Sequence, residues 1–399
     1  MDISHRQVNK RVRFTDASGN PIAGKNIKVK QTAHKFLFGC GGFDFMPYVI
    51  EGNDFYKDLT EMWLEVFNYS TLPFYWGNFE PEEGKPDTEN LLKIAKYMQS
   101  KGVKLKGHPL CWHTVCADWL LKYDNKTIME KQLGRIEREV TGFKGIIDMW
   151  DVINEVVIMP VFDKYDNAVT RLCNEKGRVR LVKEVFDKAR ECNPDAVLLL
   201  NDFNTSPKYE ELIEECLDAG VPISAIGIQS HQHQGYWGAE KLNDVLERFG
   251  RFGLPIHFTE NTLISGDLMA PHIVDLNDWQ VDDWPSTEEG EARQCKEVEE
   301  MYRILFAHPL VEAITTWDFK DGAWLNAPSG FIRRDKTPKP SFHMLKKLIK
   351  DEWFTDVTVK TDADGWAAVN AFKGSYLIEA DGEPVVAEFV DDKEERICL

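Results

Sequence analysis

The chain has 399 residues, 43% hydrophobic and 29% charged, a composition that supplies a large core and argues against a disordered or fibrous protein. With 48 Lys and Arg against 66 Asp and Glu, the net charge is −18, a balance that repels phosphate backbones and argues against a nucleic-acid partner. No run approaches the ~18 unbroken apolar residues of a membrane span, and eight cysteines without a CxxC pair give neither a disulfide scaffold nor a structural zinc site.

In chain order, the N-terminus MDISHRQVNKRV carries no apolar leader core. It fits a cytoplasmic protein, or a secreted one whose leader is not part of this chain. Residues 11–31 alternate in hydropathy around Ser18-Gly19-Asn20 and Gly24, which predicts two or three strands. Short apolar runs then recur at 36–40, 66–72, 103–108, 146–153, 197–201, 225–230, 255–260 and 312–317. Amphipathic stretches separate them, such as NLLKIAKYMQSKG with Leu91, Leu92, Ala95 and Met98 on one face, GRVRLVKEVFDKAREC and EARQCKEVEEMYRILFAH. Eight strands spaced by helices predict an α/β fold, a (β/α)8 TIM barrel. Residues 356–390 alternate again around Asp364-Gly365, Lys373-Gly374 and Asp381-Gly382, enough for four or five strands. The expected organisation is a small β-sandwich from residues 1–33 and 354–399, with the barrel, 34–353, inserted between them.

In such a barrel the chemistry sits at the C-terminal ends of the strands. The predicted ends present His108 (third strand), Asn154 and Glu155 (fourth), Asn201 and Asp202 (fifth), Gln229 and His231 (sixth), Glu260 (seventh) and Trp317 (eighth). A single Glu after a strand is ordinarily a solvated loop residue. Two of them, on the fourth and seventh strands, face each other across the barrel mouth. Paired carboxylates are what glycoside hydrolysis requires: one protonates the leaving oxygen and the other attacks the anomeric carbon. The surrounding His, Asn, Gln and Trp suit sugars, which present hydroxyl edges and C–H faces.

The motifs GHPLCWH (107–113), WDVINE (150–155), LNDFN (200–204), IGIQSH (226–231) and HFTE (257–260), in consistent order over about 36–350, resemble glycoside hydrolase family 10, the xylanase family. The flanking GNPIAGKNIKVKQ and TDADGWAAVNAFKGSYLIEA resemble the split terminal strands of its plant-type members. The resemblance implies a retaining β-1,4-xylanase that needs no cofactor or metal, with a carbohydrate as its partner. It makes Glu155 the acid/base and Glu260 the nucleophile, with Asn154 on the sugar 2-hydroxyl. His231 would hold the nucleophile and Gln229 would lie near the acid/base. It further implies that His108 and Trp112 shape the sugar site, that Trp317 and Trp324 form its floor and wall, and that Asn201 contacts substrate.

Two departures from the family pattern stand out. Members carry Pro-Glu-Asn-x-x-Lys-Trp after the second strand, gripping the next sugar; here Leu72-Pro73-Phe74-Tyr75-Trp76 precedes FEPEEGK. Phe74, Tyr75 and Trp76 therefore predict a site that favours stacking, and short or aglycone-bearing xylosides as an alternative substrate. The segment 261–290, with Trp279 and Trp284, is long for the family, and reads either as an acidic surface loop or as a substrate wall. Two readings from other classes remain: a non-catalytic carbohydrate-binding protein, and a metal hydrolase on His108, His113, His231 and His233. Retention of both carboxylates weighs against the first. The absence of His or Asp at the end of FLFGC weighs against the second.

Overall fold

The computed structural model of the protein describes residues 1–380 and 382–399, so Asp381 of the expected Asp381-Gly382 turn lies outside the described residues. Two strands come first, β1 (Gln7–Thr15) and β2 (Asn26–His34). Parallel strands alternating with helices follow: β3 (Leu37–Gly41), β4 (Tyr69–Pro73), β5 (Lys104–His108), β6 (Met149–Asn154), β7 (Val197–Asp202) and β8 (Ala225–Ile228). The two-residue β9 (His231–Gln232) precedes β10 (Ile256–Leu263) and β11 (Val311–Thr316). The chain ends in β12 (Asp356–Lys360), β13 (Trp366–Phe372), β14 (Gly374–Glu379), β15 (Val385–Phe389) and β16 (Glu395–Cys398).

β3, β4, β5, β6, β7, β8, β10 and β11 pair in that order, and β11 pairs back onto β3, so the sheet closes into a (β/α)8 barrel. Its strands bury both faces and read as apolar runs, the pattern of a parallel sheet covered by helices. Helix Thr88–Ser100 starts after Asp87 and buries Leu91, Ile94, Ala95 and Met98. Ile94 thus takes the place expected for Leu92, because the spacing i, i+3, i+4, i+7 keeps a straight stripe. Two strands begin later than their apolar runs suggest. Val66 closes helix Lys57–Val66, and Ile146 and Ile147 are held in a turn by bonds to the Phe143 carbonyl.

The terminal strands form two further sheets, β13-β1-β16 and β12-β2-β14-β15. β1 and β2 do not pair with one another. Each is an interior strand of a sheet otherwise made by the C-terminal segment. Alternate residues of β1 point inward, and Val8, Val12, Phe14, Ile27, Val29, Val369, Tyr376, Ile378, Phe389 and Ile397 share one apolar core. Arg6 ties this layer to the barrel, donating to the carbonyls of Phe306, His308 and Val311 at 2.8, 2.7 and 2.6 Å. All eight cysteines are free, five of them buried, while Cys398 is exposed.

Candidate active site

The C-terminal end of β6 turns sharply. Glu155 takes φ +59°, the left-handed region that a residue with a Cβ rarely adopts, while its N–H bonds the Asn201 carbonyl at 2.9 Å. Asp202 at the end of β7 anchors the following segment, its Oδ2 accepting from the Val157 N–H at 3.0 Å. The strained turn aims the Glu155 carboxyl into the mouth. There it accepts from Trp112 Nε1 at 2.9 Å and from Gln229 Nε2 at 3.1 Å. Burial pushes its pKa up to about 8, with the Glu260 and Asp202 charges adding to the rise and the Gln229 and Trp112 bonds opposing it.

Glu260 sits where the pairing of β10 with β11 slips register, between Phe258 and Asn261, a bulge that re-aims its side chain. Beyond it β10 continues three residues further than the sequence suggests, and Thr262 and Leu263 pair with β9. The carboxyl accepts from Asn201 Nδ2 at 2.8 Å, has His231 Nε2 at 3.2 Å, and lies 3.9 Å from His108 Nε2. Burial alone would raise its pKa; His108, His231 and Lys106 outweigh that effect and hold the group below the ordinary carboxylate value.

The two carboxyls belong to one hydrogen-bond network. Asn154 Oδ1 accepts from Asn201 Nδ2 at 2.8 Å and from Gln229 Nε2 at 3.0 Å, and Asn201 Oδ1 accepts from Thr259 at 2.7 Å. Gly227 on β8 makes the room, since a Cβ there would lie 2.3 Å from Asn201 Oδ1. Beneath, Lys106 Nζ lies 2.6 Å and His108 Nδ1 2.7 Å from Asp151 Oδ2, all three fully buried. Sequence reading missed Lys106 and Asp151. The available signal was the placing of two charged residues: Lys106 two positions before His108 and so on the same side of β5, and Asp151 among the apolar residues of β6.

Aromatic rings line the mouth. Tyr75 lies 5.7 Å from both His108 and Trp112, Trp317 packs edge-on to His108 at 5.4 Å, and Trp324 lies 4.5 Å from His231. Three expectations change. Phe74 does not face the mouth; it is fully buried against Phe79, Phe143 and Trp150. Trp76 is also drawn away, with its indole packed beside Trp119, Arg135 stacked over it and its Nε1 donating to Glu80 at 3.0 Å. Asn201, fully buried, spends its amide on Asn154, Glu260 and Thr259 and so orients neighbours without meeting solvent. The remaining predicted residues, His108, Trp112, Asn154, Gln229, His231, Trp317, Trp324 and Tyr75, gather around the two carboxyls. Arg135, on helix Asn125–Gly142, fixes two of the walls by donating to the backbone carbonyls of Phe74 and Leu110.

Segment 264–287 is folded, not a loose acidic loop: Ile264, Met269 and Trp284 form a small core with Ala327, and Trp284 Nε1 donates to the Asp267 carbonyl at 2.8 Å. Among the described residues no group of three His, Cys, Asp or Glu side chains is arranged to hold a metal, and no helix is long and apolar enough to cross a membrane.

Residues 68–348 match the model of glycosyl hydrolase family 10. Anti-sigma-I factor RsgI6 of Acetivibrio thermocellus is 24% identical over 94% of this chain and 45% of its own length. Endo-1,4-beta-xylanase 2 of Arabidopsis thaliana is 23% identical over 97% of this chain and 34% of its own. The chain thus spans about a third to a half of the length of these two relatives. The barrel of xylanase 10B from Thermotoga petrophila RKU-1, solved in complex with xylobiose, superposes with a TM-score of 0.64 at 20% identity, covering 80% of this chain and 95% of that one. With the family match extending over most of the barrel and containing both carboxylates, the chain belongs to glycosyl hydrolase family 10.

Proposed function

We propose that the protein is a retaining glycoside hydrolase acting on β-1,4-xylosidic bonds. The observation that carries this is the opposite tuning of two linked carboxyls. Glu155, with a pKa near 8, keeps its proton at neutral pH, whereas Glu260 is ionised. Glu155 gives its proton to the glycosidic oxygen as Glu260 attacks the anomeric carbon, and a glycosyl ester forms on Glu260 while the alcohol departs. The Glu155 carboxylate then takes a proton from water, which displaces Glu260 and restores both groups. Asn201 and His231 keep the Glu260 oxygens aligned. Asn154 spends its Oδ1 on two donors, and its Nδ2 donates to Glu155 Oε1 at 3.4 Å, which holds it beside the acid, where a sugar hydroxyl would meet it.

The xylose preference is supported by the name of the Arabidopsis relative and by the xylobiose complex of the Thermotoga one. Tyr75, set among His108 and Trp112, supports recognition by ring contact and favours short or aglycone-bearing xylosides over long xylan. The test is incubation with an activated 2-deoxy-2-fluoroxyloside followed by peptide mapping. The expected result is one adduct, on Glu260. Full turnover without an adduct, or an adduct elsewhere, would overturn the assignment.

A further inference from the structure

Ten large hydrophobic side chains stand out into solvent among the described residues, and five of them lie on three loops at the barrel mouth. They are Val161 (73% exposed) and Tyr165 after β6, Phe203 after β7, and Leu268 and Val274 (98% exposed) after β10. Apolar side chains exposed singly are ordinary, but five collected around one cleft point to a contact for a ligand.

The loops are tied together. The Met269 N–H bonds the His233 carbonyl at 2.9 Å, and Gln234 Nε2 reaches the Ala270 and Ile273 carbonyls at 3.0 and 2.8 Å. The segment after β10 is thereby laid over the loop after β8. Its far end meets the loop after β6, where Lys164 Nζ lies 2.6 Å from Asp275 and 2.7 Å from Asp278. The loops after β6, β8 and β10 are thus joined into a rim, and the loop of Phe203 follows β7, which lies between β6 and β8 in the barrel.

This rim adjoins the acid carboxyl. Phe162 packs on His113 at 4.4 Å and on Tyr165 at 4.9 Å, and Tyr165 lies within reach of the Glu155 charge. Tyr75, His108 and Trp317 stand at the ends of β4, β5 and β11, the other half of the barrel mouth, and would enclose the sugar that is cleaved. The leaving group must then pass over β7 and β8, toward the rim. Four of the five side chains, all but Tyr165, offer no hydroxyl partner, and Lys164, Asp275 and Asp278 are paired with each other.

We propose that the rim formed by Val161, Tyr165, Phe203, Leu268 and Val274 binds an apolar leaving group, so that the enzyme releases an alkyl or aryl alcohol from a xyloside in preference to a further sugar. The inference rests on the xylosidase reading above. It is tested with methyl, butyl and octyl β-xylosides, whose alcohols leave with similar intrinsic ease, alongside xylobiose and xylotriose. A buried methylene contributes about fourfold, so a half-open rim should raise kcat/KM at least about tenfold from methyl to octyl.

The Phe203→Ser/Val274→Ser double variant should bring the octyl-to-methyl ratio near one, and Lys164→Ala should lower it by a smaller factor. A flat alkyl series with ready cleavage of xylotriose would overturn the proposal and leave the reaction intact. A flat series with concentration-dependent self-association would overturn it in favour of a second copy of this chain on the rim. No cleavage of any β-xyloside, xylobiose included, would overturn the reaction itself and the proposal with it.

Discussion

The ends of β6 and β10 each present a glutamate in an enclosed site, and the two behave oppositely. Around Glu155 the donors are neutral, Trp112, Gln229 and Asn154, and they do not offset burial and the neighbouring carboxylates. Around Glu260 stand two imidazoles and, behind them, the Lys106 ammonium paired with Asp151, and these overcome the same burial. Burial supplies the size of the shift. Its direction is upward at Glu155, and only the positive neighbours of Glu260 reverse it there.

Removing each group in turn sharpens that contrast. Glu260→Ala should lower kcat/KM by more than about 10⁴-fold on every substrate, because no other group can form the glycosyl ester. Glu155→Gln should cost about 10²–10⁴-fold on alkyl xylosides but much less in the first step on xylosides of acidic phenols, which leave without a proton; burst kinetics separate the two steps. Equal first-step losses on both would break the assignment of the acid.

Asp151→Asn probes the support of the anionic site. It strands the buried Lys106 charge, and a loss of about 3–5 kcal/mol in denaturant unfolding is expected. The wild-type pH profile of kcat/KM should be bell-shaped, falling on the alkaline side near pH 8 as Glu155 loses its proton. Gln229→Leu removes a donor that favours the ionised form, so that limb should move up by about one unit. The same shift bears on stability. Glu155 has a folded pKa above its unfolded one, so the folded state binds the extra proton between about pH 4.5 and 8, and stability falls as pH rises through that window. Glu155→Gln lacks this proton, so in denaturant unfolding it should be more stable than wild type by up to about 4 kcal/mol at pH 8, with little difference at pH 4.

Much of this architecture was written locally. The eight strand runs, the helix stripes between them and the polar residues at strand ends follow from hydropathy period and turn chemistry, which neighbouring residues dictate. Glu155 and Glu260 were legible for that reason: a residue just past a barrel strand can only be at the mouth. What a side chain does once there was decided by the fold. Phe74, Tyr75 and Trp76 are consecutive aromatics, yet one enters the core, one faces the carboxyls and one packs outward under Arg135. β1 and β2 read as neighbours, but each completes a different sheet with strands more than 300 residues away, because their apolar faces find no sufficient partner in one another. The opposite ionisation of the two glutamates was decided the same way. It depends on His108, His231 and Lys106, groups distant in sequence from Glu260, and charge acts through space.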